Sequence, residues 1–390
     1  ANLAMERVDA ELHGWAQAPY GSKPDVDANY VRVLDRALDP ARTDAVRIGV
    51  ASHNLFDVAL AHLMASDRGV GEALDVEMLQ GMAPAQARAV RDAVGQVVLY
   101  TPVVAKKDFD VAVSYLVRRL EENSASQNFV HALFAGEDGP HEDGSPMDHQ
   151  ESAFRASVAA SATVPTDPRR TVRGAPATLV AGQPFVNASD TDPAVEASRV
   201  WAQQIVSQET ADRLAASVPA TTVLGSPAEV DVVVARAADV AASWRSTTGA
   251  QRREVLLTAA RLLEEARTDL VATMVHEARK TVGEADPEVS EAVDFAAYYA
   301  ERAADLDEVT GATFTPEGLT VVTPPWNFPV AIPLGSVLGS LAAGSPVVIK
   351  PSHVTPRCAA VGVDAIRRAL VVHGYEADVV QVVSADEGEV

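Results

Sequence analysis

The sequence predicts an α/β chain with two folded units, and three observations predict it. Strand-length apolar runs alternate with helical repeats in the first third, and the same alternation returns near the end. Between them lies a stretch with no apolar periodicity, rich in Gly, Pro and acidic residues. At 390 residues the chain exceeds what one core of roughly 250 residues holds. A hydrophobic share of 47% is ordinary for globular proteins and excludes a collagen-like or wholly disordered chain.

Residues 24–38 read as a helix entered through Ser22 and interrupted at Pro40. Residues 46–51 form a short strand, and 55–65 a helix with apolar residues at 55, 56, 59, 60 and 63. Strand 74–79, helix 85–94, strand 97–101 and helix 108–122 complete three strand–helix pairs. Their short connections argue a parallel sheet with right-handed crossovers, either a β/α barrel or an open doubly wound sheet. Residues 135–150 read as a mobile linker, and 151–184 as a segment wrapping a neighbouring surface with little core of its own. From 185 onward come helices 230–244, 252–280 and 288–302. Strand 319–323, helix 330–343, strand 346–350, helix 357–373 and strand 378–383 then form half of a mononucleotide-binding layer.

Lys and Arg number 32 against 54 Asp and Glu, a formal charge of −22. Such a chain repels a phosphate backbone, which argues against a nucleic-acid partner. The one cysteine, Cys358, excludes an internal disulfide and suits a reducing cytoplasm. The nine histidines show no metal-binding spacing, so no metal is expected, and neither a GxGxxG run nor a P-loop is present. Residues 1–14 lack the apolar stretch of a signal peptide, and the longest apolar run, 330–344, is short for a membrane span. The first residue is Ala1, as expected of a processed chain or one cut from something longer.

Ser52, His53 and Asn54 follow the first strand, at the carboxyl end where parallel sheets gather function, although Asn54 would equally cap the next helix. Tyr100 ends the third strand on the same edge. On the helix after it, Tyr115 and Arg119 are i,i+4, as are Arg118 and Glu122. Two guanidiniums and a carboxylate on one helix can hold a zwitterion, and the same pattern also serves a solvated face with surface ion pairs. Pro324-Pro325-Trp326-Asn327-Phe328-Pro329 makes a stiff loop around one amide, which could stabilise an oxyanion or simply join strand to helix. Lys350 and Ser352 follow the next strand, at the usual nucleotide crevice. Cys358, eight residues past Lys350, reads as a small buried core residue rather than a nucleophile.

Ser52-His53-Asn54, Tyr100, the run Tyr115-Leu-Val-Arg-Arg-Leu-Glu-Glu-Asn123 and Phe129 together resemble the carboxyl-terminal part of the proline dehydrogenase β/α (TIM-like) barrel. Pro325-Trp-Asn-Phe-Pro and Lys350-Pro-Ser resemble the aldehyde dehydrogenase superfamily, whose NAD-binding domain is Rossmann-like. In this order the two resemble the bifunctional proline-utilisation flavoenzymes. The resemblance implies residues 1–134 as the barrel part, 135–184 as linker and 185–390 as the amino-terminal part of the aldehyde dehydrogenase domain with leading helices. It implies oxidation of proline by FAD to pyrroline-5-carboxylate, then of glutamate semialdehyde by NAD to glutamate. Tyr100, Arg118, Arg119 and Glu122 would bind proline, and Ser22, Lys23, Ser52, His53, Asn54 and Glu77 would touch FAD. Asn327 would be the catalytic oxyanion donor, and Thr323, Pro325, Trp326, Lys350 and Ser352 would contact NAD.

Glu77 stands where many members carry Gln, and His353 where the superfamily usually carries Glu, which leaves NAD against NADP open. The family places its nucleophilic Cys and Glu base beyond Val390, so the chain is expected to be an internal fragment that catalyses neither step. For the parent enzyme the resemblance leaves open peripheral membrane association and a homo-oligomer. Two other readings stand at this point: a stand-alone aldehyde dehydrogenase-like enzyme, or a non-catalytic interaction protein.

Overall fold

The computed structural model describes residues 3–101, 103–124, 128–134, 145–170, 185–217, 219 and 221–385. Contacts divide the chain into two units, Pro19–Asp167 and Ala1–Ala18 with Pro168–Val390. Helix α1 (Leu3–Leu12) belongs to the second of these.

The Pro19–Asp167 unit runs α2 (Lys23–Ala37), α3 (Pro40–Thr43), β1 (Ile48–Ala51), α4 (Leu55–Asp67), β2 (Leu74–Leu79), α5 (Pro84–Val94), β3 (Val98–Tyr100), α6 (Phe109–Ser124), α7 (Phe129–Phe134) and α8 (Pro146–Ala160). The strands pair in parallel in the order β1-β2-β3, with Val50 opposite Val76 and Leu79 opposite Tyr100. Local chemistry starts the helices. Ser22 accepts from the Asp25 N–H at α2, and Asn54 from the Phe56 N–H at α4. Two small cores result, one around Leu34, Leu38, Val50 and Ala61, the other around Val58, Val76, Met78 and Val90.

Residues 146–160, expected within the linker, form α8, which packs on α2. Ser145 and Asp148 build a capping box and Pro146 occupies the first turn, so the helix has a strong start despite its weak apolar stripe. Residues 135–144 and 171–184 of that segment lie outside the described residues.

In the other unit come α9 (Glu196–Ile205), α10 (Gln208–Ala216), β4 (Thr222–Leu224), α11 (Pro227–Arg245), α12 (Gly249–Glu265), α13 (Arg267–Glu277), α14 (Val282–Asp305), β5 (Thr320–Val322), α15 (Ala331–Ala342), β6 (Val347–Ile349), α16 (Pro356–Val372) and β7 (Val380–Ala385). The parallel sheet has the order β4-β7-β6-β5, and β4 was not expected from sequence. A large core joins α12 to α16, with Leu256, Leu263, Leu270, Met274, Leu334, Leu338 and Ile366 fully buried.

The predicted single helix 252–280 is two helices that part at Ala266. Arg267, 1% exposed, donates to Glu264 Oε2 at 2.7 Å, Asp286 Oδ1 at 3.0 Å and Ser290 Oγ at 3.1 Å, so the chain bends where it buries a guanidinium. Helix α14 starts six residues before the predicted 288, because Thr281 and Glu284 form a capping box and Pro287 is tolerated inside the helix.

Arg267→Ala removes the guanidinium that Asp286 and Glu264 share. Removing one side of a buried pair costs about 3–5 kcal/mol. Urea unfolding of Arg267→Ala should show a loss of that order, whereas Arg261→Ala, which breaks only the exposed pair with Glu265, should lose under about 1 kcal/mol. Equal losses would contradict the assignment.

Candidate functional site

Parallel pairing sends the carboxyl ends of β1, β2 and β3 to one edge, and a cavity of about 510 Å³ opens there. Its lining includes Ser52, His53 and Asn54 after β1, Glu77 and Leu79 of β2, and Tyr100 at the end of β3. Helix α2 adds Lys23 and Asp27, α4 adds Asp57, α6 adds Tyr115 and Arg119, and α8 adds Gln150.

His53 holds one definite role. The Leu79 N–H donates to its Nε2 at 3.0 Å, which puts the ring proton on Nδ1. Burial lowers the imidazole pKa and keeps the ring neutral. The Nδ1–H is buried and has no partner among the described residues. Ser52 Oγ accepts from the Asn54 N–H at 3.0 Å, and Asn54 Oδ1 from the Phe56 N–H at 3.0 Å. Asn54 is therefore a helix cap and a lining residue at once.

The aromatic wall is equally defined. The Tyr100 and Tyr115 rings lie 6.4 Å apart, and the Arg119 guanidinium carbon sits 5.2 Å from the Tyr115 centroid. Stacking holds the planar fork at the cavity. Arg118 is exposed and absent from the lining, because consecutive helix residues point about 100° apart. The Glu122 side chain lies outside the described residues. Ser22 is also off the lining, its hydroxyl donating to Asp25 Oδ2 at 2.7 Å in the α2 cap.

Two carboxylates contribute to the site beyond the sequence reading. Asp27 accepts from Lys23 Nζ at 2.5 Å, an i,i+4 pair within α2. Burial, then the charge of Asp27, push Asp57 up to about 6 against the pull of Lys23. The one acid in the first turn of a largely apolar helix was the signal for Asp57. No comparable signal marked Gln150, which sits in the presumed linker.

The other predicted residues gather at the β5 and β6 ends. The Lys350 N–H donates to the Val322 carbonyl at 2.9 Å, so Thr323 and Lys350 leave two adjacent strands side by side. Pro325, Trp326 and Asn327 lie exposed on the loop between β5 and α15, and Lys350 and Ser352 are partly exposed. Cys358 is fully buried in the first turn of α16, and burial with the nearby Glu277 carboxylate pushes its thiol up. It is no thiolate nucleophile.

Between the ordinary carboxylate value of 3.8 and about 6, the fold keeps a proton on Asp57 that the unfolded chain has released. Stability therefore falls as pH rises through that window and stays lowered above it. Asp57→Asn should gain on the order of 2 kcal/mol in urea unfolding near neutral pH and nothing at about pH 3. An equal gain at both pH values would contradict the buried-acid account.

The proline dehydrogenase family model matches residues 1–132, and the model of the aldehyde dehydrogenase family matches residues 201–390. Bifunctional protein PutA of Escherichia coli (strain K12) is 40% identical over 149 residues, 38% of this chain and 11% of that protein. Its Salmonella typhimurium namesake is 29% identical over 397 residues, 94% of this chain and 29% of that protein. The solved structure of Proline Utilization A from Corynebacterium freiburgense matches with a TM-score of 0.80 at 47% identity, covering 100% of this chain and 35% of that chain. The chain thus spans between 11% and 35% of the length of these relatives. With a match to the proline dehydrogenase model first and to the aldehyde dehydrogenase model second, the chain is similar along its whole length to PutA-type bifunctional proline-utilisation proteins.

Proposed function

We propose that this sequence supplies part of both sites of a protein that carries out two oxidations, of proline to pyrroline-5-carboxylate with FAD and of glutamate semialdehyde to glutamate with NAD. In this reading β1 to β3 are a sector of a β/α barrel, and β4 to β7 belong to a Rossmann-type sheet. The limits 1–134 and 185–390 are kept for the two parts on resemblance, while by contacts residues 1–18 group with the second unit and α8 with the first. One observation carries the proposal: Arg119, stacked on Tyr115, and the His53 Nδ1–H, which has no partner among the described residues, line the same cavity.

The lining suits a flavin. With their oxygens accepting locally, Ser52 and Asn54 keep O–H and N–H donors for it, His53 adds another, and Glu77 offers an acceptor for a ring N–H. Bound FAD supplies the two-electron acceptor. Arg119 donates to the proline carboxylate, and Tyr100 and Tyr115 wall the ring. Lys23 places a positive charge at the cavity, held by Asp27. Arg118, Glu122 and Ser22 stay assigned on resemblance alone.

At the second edge, the Lys350 ammonium and the Thr323 and Ser352 hydroxyls suit ribose hydroxyls of NAD, with Pro325 and Trp326 beside them. The Asn327 amide donates to the aldehyde oxygen as it gains charge. Cys358 takes no part. The partners in this reading are these small molecules, and a cytoplasmic setting suits the single free cysteine. No helix among the described residues is long and apolar enough to cross a membrane.

Mixing the flavin-loaded holoenzyme with proline should bleach the visible flavin band, and pyrrolidine, which lacks the carboxylate, should not. Arg119→Met should raise the proline concentration for half-bleaching by about tenfold or more, the loss of one charge-assisted contact, at unchanged flavin content. Equal bleaching by pyrrolidine, or an unaffected Arg119→Met, would contradict the carboxylate assignment.

A further inference from the structure

We infer that Lys280 and Glu288 form a positioning pair for the loop that carries Asn327; its bearing on catalysis rests on the reading of that loop as the aldehyde-oxidising site. Glu288, 3% exposed within α14, accepts through Oε2 from the N–H groups of Val330 at 3.1 Å and Ala331 at 3.2 Å. These are the first backbone donors of α15, a helix with no side-chain cap of its own. The carboxylate that replaces the cap lies 42 positions away in sequence. Through Oε1 the same carboxylate binds the Lys280 ammonium. That ammonium lies 4.7 Å from the centroid of the Phe328 ring, next to Asn327. One ion pair therefore grips the loop at Phe328 and again at Val330, on the carboxyl side of Asn327. The two prolines and β5 hold the other side.

The turn that presents Lys280 is itself constrained. Arg279 takes a left-handed φ of 60°, which a non-glycine residue adopts at a cost, and Thr281 caps α14 one residue after Lys280. A buried carboxylate with a single lysine partner costs desolvation that an apolar contact would not. Packing alone could anchor α15, since the helix is buried along most of its length. The pair adds a fixed charge beside the loop, set from outside the nucleotide sheet. Lys280 and Glu288 touch no proposed ligand, so they act through Phe328 and the start of α15.

The test uses the chain labelled with 5-fluorotryptophan. It has four tryptophans, and Trp326→Phe assigns the resonance next to Asn327. Lys280→Met and Glu288→Gln should each shift or broaden the Trp326 fluorine signal and leave that of Trp244, buried in the core, in place. Lys280→Arg, which keeps the charge, should restore the Trp326 signal. Glu288→Gln retains an acceptor for Val330 and Ala331, and Lys280→Met leaves that cap intact, so one informative variant survives if the other fails to fold. An unmoved Trp326 signal overturns the inference, and so do equal shifts of all four signals, which mark general loosening. Adding NAD⁺ to the labelled wild type separates the two ideas. A response confined to Trp326 supports the loop as a ligand site. No response counts against that reading, while the variant spectra still decide the positioning role.

Discussion

Every strand pair among the described residues is parallel, and the architecture depends on that polarity. Parallel strands end on one edge, so the loops that follow them meet although their residues are far apart in sequence. His53, Leu79 and Tyr100 come from three different strand ends and reach one cavity. The Leu79 N–H to His53 bond is this polarity at work, since the last residue of β2 fixes the ring that follows β1. Thr323 and Lys350 are level for the same reason. Backbone pairing sets the frame, and side chains need only project from it.

A second constraint is the handling of helix ends under the larger sheet. Glu277 accepts from the N–H groups of Arg357 and Cys358, and Glu288 from those of Val330 and Ala331. Both helices that follow β5 and β6 thus begin on carboxylates supplied from α13 and α14. Asp286 in the same stretch holds Arg267 and the Thr191 N–H. These buried charges are compensated by named partners, which is the condition for keeping them inside an apolar core. They tie α13 and α14 to the starts of α15 and α16 at defined points, where apolar contacts alone would allow sliding.

The sequence was legible where one local signal dominated. Strand 74–79 was read residue for residue, because its apolar positions are bounded by turn residues. Asn54 was read both as a cap and as a site residue, and the structure gives it both positions. The break at Ala266 was hidden, since no Gly or Pro marks it and its cause is the distant Asp286. Three-residue β4 carries too short a pattern to stand out, and its partner β7 lies about 160 residues on. At the site, spacing identified the helix that carries Arg118 and Arg119 but could not choose between them. That choice depends on how α6 is rotated against β3. Glu288 was invisible for a similar reason, because a glutamate inside a helix reads as a surface residue until the helix it caps is known.

The central claim is that the cavity at the β1–β3 edge is built to hold a flavin against the His53 Nδ1–H. Nitrogen-15 spectra of histidine-labelled protein test it most directly. The account predicts a neutral ring protonated at Nδ1 before ligand, and a shift of that nitrogen, larger than that of Nε2, when FAD binds. Binding of FAD that leaves His53 unperturbed, or a ring protonated at Nε2, would contradict it.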